Sequence, residues 1–545
     1  MRVFAAVVVI IGCGSGPHAA SDSSIADTSG ARDSGGDAAA VDWPIAVDPS
    51  APPAGALAPA LLGHYDLSGA LFDYASNAQL ASRMQAIGFA DWRVGVGRWE
   101  MTTRLLPSLT TGSACDLSAY PAVLAAPAGS TDASLVASRD WFTDTGSAVA
   151  LADTADPARY SLDYVRSVLD EAAAFGATPY VDLDHDPRAL SANRTFARGA
   201  IVGGITDPCF ATWTNSVSNT RPADPTVFAA AAANLVRLVV EGDATHAPRV
   251  APTWEFWNEP ELGYAWDQDF EQPTGSLNAF FATAIDTMIA LASYRASATA
   301  PAAKQLRFGL GSFARASTAA GVLSSFDANP LPDGSHVPLD FVSFHSYDND
   351  PLVVVADIAT VAAARDASTN YRSAGLALTE WGPNLATPPD PAHIDQALHA
   401  AVVIARGAAL GLERADRSLF YDFVPGVPYS LVHQDGSVNP SYYAYVLLHA
   451  LIGAGADRLA VAAAPDGAFD GGAGAVVVGR TADGTIRALL VNTGSAPRTA
   501  QLSLAGAAST PARVQVFDDP TAEPRDVAPT AVVTVPARAI VLVSL

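Results

Sequence analysis

The sequence of 545 residues contains little cysteine, and its cysteines and histidines do not have the spacing of a metal-binding motif. Only three cysteines are present, Cys13, Cys115 and Cys209, and neither a CxxC nor an HExxH pattern occurs. Zinc sites are usually recognised by closely spaced ligands of these kinds. We therefore expect no metal and no other cofactor.

Positive charge is also scarce. Lys304 is the only lysine, and 31 basic residues stand against 55 acidic ones, which gives a net charge of −24. Proteins that bind nucleic acid neutralise its phosphates with a basic surface. The composition therefore argues against a nucleic-acid partner.

Apolar runs long enough to span a membrane are missing, and the N-terminal run is short. Residues 3–11 follow Arg2 and precede Gly12-Cys13, as in an export signal. Residues 10–13 resemble a bacterial lipobox. We expect 1–13 to be a lipoprotein signal, Cys13 to be lipidated, and the exported chain to be a cell-envelope lipoprotein anchored to a membrane. The alternative is a plain secretory signal with an incidental cysteine. Cys115 and Cys209 could pair after export, but the sequence leaves their separation open.

Two regions of different composition follow. Residues 14–55 are rich in Ser, Asp, Ala and Gly, which predicts a flexible tether because such a segment buries little apolar surface. In residues 56–455, short apolar runs alternate with helical patterns, which predicts an α/β fold built as a (β/α)8 TIM barrel. The eight strands are predicted at 61–66, 91–97, 178–184, 252–258, 307–313, 339–347, 376–380 and 418–424.

The barrel prediction includes one long insertion, and a second domain follows the barrel. Residues 99–156 come after the second strand, hold Pro, Gly and Ser, and are expected to wall the site. Residues 456–545 consist of short alternating strands with turn residues such as Asp483-Gly484. They predict a C-terminal antiparallel β-sandwich domain.

Two predicted barrel strands end in a glutamate. The apolar segment 254–257 leads into Asn258-Glu259-Pro260, and the segment 376–379 leads into Glu380-Trp381. The carboxyl ends of the strands form the catalytic face of such a barrel. Cleavage of a glycosidic bond uses two carboxyl groups placed across a sugar. We expect Glu259 to be the general acid/base and Glu380 the nucleophile; alternatively, Glu259 could simply begin a helix.

Several neighbours of these glutamates are candidate substrate contacts. Asn258 suits a sugar 2-hydroxyl, although it could instead cap a helix. His345 and Tyr347 share one face of their strand, because side chains two apart on a strand point the same way. Weaker candidates, which could equally be scaffold or packing residues, are Arg93, Asp182, Asp184, His185, Trp266, Trp381 and Tyr421.

These motifs together resemble those of clan A glycoside hydrolases, most closely glycoside hydrolase family 39, the β-xylosidases and α-L-iduronidases. The similar segments are WEFWNEPEL, LALTEWGPN, FVSFHSYD, ATPYVDLDHDP and SVNPSYYAY. The resemblance covers residues 60–455 and implies that Glu259 is the acid/base, Glu380 the nucleophile, Asn258 a 2-hydroxyl contact, and His345 and Tyr347 contacts to substrate or nucleophile. The insertion 99–156 and the polar stretch 184–186 depart from the family pattern, and this leaves the sugar open.

The sequence therefore predicts a retaining glycosidase, β-xylosidase-like, that acts on oligo- or polysaccharides. One alternative is an endo-acting glycanase of the same clan, which would have a cleft instead of a pocket. Another is an inactive carbohydrate-binding surface lipoprotein, which fold alone does not exclude. The oligomeric state is not indicated.

Overall fold

The computed structural model describes most of the chain from residue 41 onward. The described residues are 41–65, 78–88, 91–95, 141–143, 145–183, 187, 189–192, 221–262, 277–384, 389–390, 392–418, 430–433 and 435–545. Cys13, Cys115 and Cys209 therefore lie outside the described residues, as does the predicted signal.

Eight parallel strands close into a barrel, and this confirms the predicted TIM-barrel class. The first strand pairs with both the second and the eighth, so that the sheet has no open edge. In chain order the strands are Gly63–Tyr65, Asp91–Gly95, Thr178–Leu183, Thr253–Phe256, Arg307–Phe313, Phe341–Tyr347, Gly375–Gly382 and Leu412–Ser418.

Helices follow the strands and cover the outside of the barrel. Helix Ala316–Ala328 was not predicted, because its many small residues give a weak apolar pattern. The helices are Ala78–Ala86, Leu162–Ala174, Pro225–Glu241, Asn278–Ser297, Ala316–Ala328, Pro351–Ala367, Asp395–Ala409 and Pro440–Ile452, with a single turn at Pro301–Lys304.

The side chains of the sixth strand show how the sequence divides inside from outside. Val342 and Phe344 belong to the large apolar core beneath the helices. Ser343 and His345 point the other way, and each contacts a carboxylate inside the barrel. This period of two is typical of a strand. It places polar side chains in the interior while the same strand still packs on the helices.

The eighth strand was predicted at the wrong place. It is Leu412–Ser418, six residues before the predicted 418–424. Its sequence is rich in charged residues because Arg414 and Asp416 point into the barrel, where Arg414 forms an ion pair with Asp91. A strand with buried ion pairs does not look like an apolar run. Residues 419–429 lie outside the described part of the chain.

The C-terminal residues form the predicted β-sandwich, and the N-terminal segment contributes to it. One sheet contains Arg498–Leu504 paired in parallel with Trp43–Val47. The larger sheet contains Gly474–Thr481, Ile486–Asn492 and Ala539–Ser544, among other strands. Side chains of both sheets share one core.

The predicted tether 14–55 is therefore wrong in its last part. Trp43, Ile45 and Val47 are buried in the sandwich, and Gly55–Leu57 pairs with the strand Ala456–Leu459. The alternation of apolar and polar residues at 43–47 is a strand pattern that the Ser- and Ala-rich surroundings concealed. Residues 14–40 lie outside the described chain.

The insertion is described only near its C-terminal end. There Trp141 and Phe142 are buried and form edge contacts and stacks with Tyr160 and Phe228. This part packs against the barrel. In the described chain, no helix is both long and apolar enough to cross a membrane.

Candidate active site

A sharp turn at the end of the fourth strand positions Glu259. The strand ends at Phe256, and both Trp257 and Glu259 adopt positive φ angles, 70° and 48°. Residues other than glycine rarely adopt this conformation, and it costs on the order of 1–3 kcal/mol at each position. A hydrogen bond of 2.9 Å from the backbone N–H of Glu259 to the carbonyl of Ser312 holds the turn.

A bulge in the seventh strand positions Glu380. Phe344 lies opposite Leu378, but the next residue, His345, lies opposite Glu380, so Thr379 is an extra residue in the strand. A bulge shifts the alternation of side chains by one. As a result, Thr379 and Glu380 both reach the barrel interior, where their side chains contact those of other strands.

Arg93 in the second strand lies in the barrel interior and contacts Glu380 and Asn258. Its side chain is only 1% exposed. The guanidinium donates to Asp182 at 2.6 Å, to Glu255 at 3.0 Å, to Glu380 at 2.8 Å and to the Asn258 side-chain oxygen at 2.9 Å. A buried cation needs such partners to offset the loss of hydration. Arg93 therefore holds Glu380 and Asn258, the residue before Glu259, in fixed positions relative to each other.

His345 and Tyr347 contact the two catalytic candidates, as their shared strand face predicted. His345 Nδ1 lies 2.8 Å from Glu259 Oε1 and 3.7 Å from Glu380 Oε2. The Tyr347 hydroxyl donates to Glu380 Oε2 at 2.9 Å. Each carboxyl group therefore has its own polar partner on the sixth strand.

The two candidate glutamates lie close together. One side-chain oxygen of Glu259, one of Glu380 and one ring nitrogen of His345 all lie within 4.8 Å of one another. Such a group could in principle hold a metal ion. We assign none, because the permanently charged Arg93 already contacts Glu380 at 2.8 Å and would repel a second cation.

Burial dominates the ionisation of the groups around the site. It raises the pKa of Glu380, and the charges of His345 and Arg93 together with the Tyr347 hydrogen bond act in the opposite direction. Burial also lowers the pKa of His345 to about 4 and raises the pKa of Tyr347 well above its usual range. His345 is therefore a neutral imidazole near pH 7, and Tyr347 is a neutral phenol that donates a hydrogen bond.

A third carboxyl group, Glu261, lies beside the acid candidate and was not predicted as a site residue. Its Oε1 accepts a hydrogen bond of 3.1 Å from the backbone N–H of Arg315. Burial, together with the nearby charge of Glu259, raises the pKa of Glu261 to about 7. The carboxyl group of Glu261 therefore changes its charge near neutral pH, close to the reacting centre.

Two of the remaining predicted residues, Trp381 and Asp182, are among the described residues. Trp381 is fully buried, stacked on His399 at 5.9 Å and close to the Arg417 guanidinium, which favours the packing role that the sequence left open. Asp182 belongs to the Arg93 network. Asp184, His185, Trp266 and Tyr421 lie outside the described residues.

Three residues beneath the candidate glutamates, Glu255, Ser312 and Ser343, were not predicted from the sequence as site residues. Glu255 Oε1 accepts a hydrogen bond from Ser343, and Glu255 Oε2 accepts one from Ser312 at 3.0 Å. Ser312 also has a positive φ of 46°, next to a register shift in the fifth strand. A charged residue inside an apolar strand was the available signal for Glu255. Serines in a barrel strand carry no comparable signal.

The fold matches solved glycoside hydrolase structures along nearly the whole chain. A glucosidase from Croceicoccus marinus aligns with a TM-score of 0.59 and 16% identity, over 93% of this chain and 99% of that one. A family 39 β-xylosidase from Caulobacter crescentus aligns with a TM-score of 0.56 and 19% identity, over 92% and 99%. A family 39 enzyme from Xanthomonas axonopodis pv. citri aligns with a TM-score of 0.55 and 17% identity, over 93% and 97%.

The comparisons of sequence are less informative. No protein-family model matches the chain, and no curated protein matches it. The fold that the resemblance to family 39 implied is confirmed by the solved structures. At this level of identity the likeness concerns the fold, and function has to be argued from the site.

Proposed function

We propose that this protein is a retaining glycoside hydrolase. The observation that carries the proposal is the pair Glu259 and Glu380, which have carboxyl oxygens within 4.8 Å of each other at the carboxyl end of the barrel. Retaining enzymes hold their two carboxyl groups about 5–5.5 Å apart, whereas inverting enzymes need about 6.5–9.5 Å to admit a water. The short separation favours double displacement.

In the first step Glu380 attacks the anomeric carbon while Glu259 protonates the leaving oxygen. Arg93 and Tyr347 each donate a hydrogen bond to Glu380 and stabilise its ionised form. The bond from the anomeric carbon to the leaving oxygen breaks as the bond to Glu380 forms. In the second step Glu259 takes a proton from water, and that water releases the sugar from Glu380.

Asn258 is oriented to donate to the substrate. Its side-chain oxygen accepts from Arg93 Nη2 at 2.9 Å, and this contact fixes which end of the amide faces the guanidinium. The side-chain N–H₂ group then remains for a sugar hydroxyl. A hydrogen bond to the 2-hydroxyl that strengthens in the transition state contributes several kcal/mol in related chemistry.

The substrate is an oligo- or polysaccharide fragment, with a β-xyloside as the first candidate. Support comes from two similar solved structures, a family 39 β-xylosidase and a bifunctional glucanase-xylanase, the second with a TM-score of 0.54. The second of these is an observation that favours an endo-acting alternative, since its substrates are polymers.

A panel of p-nitrophenyl glycosides tests the proposal. We expect wild-type protein to hydrolyse one of the β-xyloside, α-arabinoside and β-glucoside, and Glu380→Gln to abolish that activity. Glu413→Gln is the matched control, because Glu413 is half exposed at the start of the eighth strand, at the other end of the barrel. Absence of hydrolysis on the panel and on xylan and glucan would contradict the proposal and favour a binding protein.

The proposal includes export and a lipid anchor on Cys13. It rests on the apolar run and lipobox-like residues 10–13. Expression in a bacterial host followed by detergent phase partition should place the wild type in the detergent phase and Cys13→Ser in the aqueous phase. Equal partition of both proteins would contradict the anchor and leave the catalytic proposal untouched.

A further inference from the structure

The Ser312 hydroxyl lies between His345 and the buried Glu255. Ser312 Oγ is 3.0 Å from His345 Nε2 and 3.0 Å from Glu255 Oε2, and it also accepts from Arg93 Nη2. Thr379 Oγ1 is the most distant of its polar neighbours, at 3.3 Å, which is longer than the range of about 2.5–3.0 Å usual for an O–H···O hydrogen bond. Ser312 is completely buried, so these groups replace water around its hydroxyl.

Counting donors and acceptors fixes the direction of each hydrogen bond. A serine hydroxyl has one proton to donate and two lone pairs. Arg93 Nη2, whose two hydrogens are shared among Asp182, Asn258 and Ser312, faces one lone pair of the hydroxyl. Glu255, paired with Arg93 at 3.0 Å, is a carboxylate that only accepts, so it takes the serine proton. The second lone pair then accepts from His345, which therefore carries its proton on Nε2.

The other ring nitrogen follows from this assignment. His345 is buried and neutral, so it carries a single ring proton. With that proton on Nε2, Nδ1 presents a lone pair to Glu259 Oε1 at 2.8 Å. Only the protonated carboxyl group of Glu259 can donate to this lone pair, and an ionised Glu259 would face it with two lone pairs in contact.

We propose that Ser312 is a positioning residue that holds His345 as its Nε2–H tautomer and so keeps Glu259 in the acid form required for the first step. The proposal rests on the acid/base role of Glu259. Once Glu259 has passed its proton to the leaving oxygen, its anion receives no hydrogen bond from His345, which makes it a stronger base toward water in the second step.

Other charged and titratable groups lie around His345 and Glu259 and influence the pH dependence of activity in every variant. They come from the second, third, fourth, sixth and seventh strands or from the turns that follow them. These groups are Arg93, Asp182, Glu255, Glu261, Tyr347 and Glu380. Ser312 is uncharged, so its removal changes none of these charges and alters only the hydrogen bonds around them.

The tautomer can be observed directly by ¹⁵N NMR of histidine-labelled wild-type protein at pH 6, with the His345 signals identified by their loss in His345→Gln. We expect a protonated Nε2 and an unprotonated Nδ1. A protonated Nδ1, or protonation of both nitrogens, overturns the proposal. This measurement needs no substrate, so it tests the tautomer separately from the activity. If no glycoside is hydrolysed but the Nε2–H tautomer is observed, the proposed function is refuted and the assignment of the tautomer is not.

Two variants separate the hydroxyl from the strained backbone. Ser312→Ala and Ser312→Gly both remove the hydroxyl, and glycine also relieves the positive φ of 46°. Freed from Ser312, His345 can move its proton to Nδ1 and donate to ionised Glu259. We expect the alkaline limb of kcat/KM to move down by about one pH unit in both variants, since a hydrogen bond to the charged form favours it.

Ser346→Ala is the matched control. Ser346 is a buried serine next to His345 on the sixth strand, but its hydroxyl donates to Asp357 in the helix Pro351–Ala367 at 2.6 Å, and it has no contact with Ser312 or with the His345 ring among the described hydrogen bonds. Its alkaline limb is expected to coincide with that of the wild type. If Ser312→Gly also keeps the wild-type limb, or if Ser346→Ala moves it equally, Ser312 does not set the tautomer.

Discussion

Replacement of Glu261 by glutamine tests the electrostatics of the site in a measurable way. The folded protein raises the pKa of this carboxyl group from 4.5 to about 7, mainly by burial. The folded state therefore holds a proton that the unfolded chain releases near pH 4.5. Stability should fall as the pH rises between these two values, because deprotonation then favours the unfolded chain.

The magnitude follows from the size of the shift. One pKa unit corresponds to about 1.4 kcal/mol, so a shift of this size corresponds to at most about 3 kcal/mol between pH 4.5 and pH 8. Glu261 is not completely shielded from solvent, and two backbone N–H groups at 314 and 315 act against the shift. The value is therefore an upper limit.

Urea unfolding at pH 5 and pH 8 measures the effect. Glu261→Gln has the same shape and keeps an oxygen for the Arg315 N–H, but it cannot ionise. We expect the variant to match the wild type near pH 5 and to be more stable by up to about 3 kcal/mol at pH 8. Glu413→Gln, at a half-exposed position, serves as control. An equal pH dependence in Glu261→Gln and wild type would refute the assignment.

Three further changes have defined outcomes. Arg93→Met leaves the buried carboxylates around it without their cation and should destabilise the protein by about 3–5 kcal/mol in urea unfolding, with partial recovery on adding Glu255→Gln. Glu259→Ala should spare aryl glycosides with good leaving groups and lower turnover of poor ones by about 10²–10⁴-fold; equal losses on both would argue against an acid. Removal of residues 1–48 should cost roughly 5 kcal/mol more than removal of 1–40, because only the longer deletion takes away the buried Trp43, Ile45 and Val47; equal stability of the two proteins would mean that this strand contributes nothing.

The positions of those barrel strands that carry apolar side chains on their outer face could be predicted from the sequence. The fourth and seventh strands pack large side chains such as Trp254 and Leu378 under the helices, and their runs were easy to recognise. The eighth strand carries Arg414 and Asp416 into an ion-paired interior, so its pattern looked like a loop. Partners from distant strands stabilise these charges, and such partners are not visible in a local window.

The candidate site was predicted from strand ends, and its supporting layer was not. Glu259 and Glu380 each follow an apolar strand, which is a local signal. The bulge at Thr379 and the positive φ of Ser312 depend on how neighbouring strands pair. Glu261 likewise accepts hydrogen bonds from the backbone at 314 and 315, more than fifty residues away in sequence. These features are consequences of tertiary packing.

The most direct test of the central claim is to trap the covalent intermediate and find where it is attached. A 2-deoxy-2-fluoro glycoside with an activated leaving group, carrying the sugar identified by the panel, slows the second step more than the first. We predict that peptide mass spectrometry will find the sugar on Glu380, and that Glu380→Gln will take up none. Attachment to Glu259 or Glu261, or turnover with inversion and no covalent species, would contradict the account.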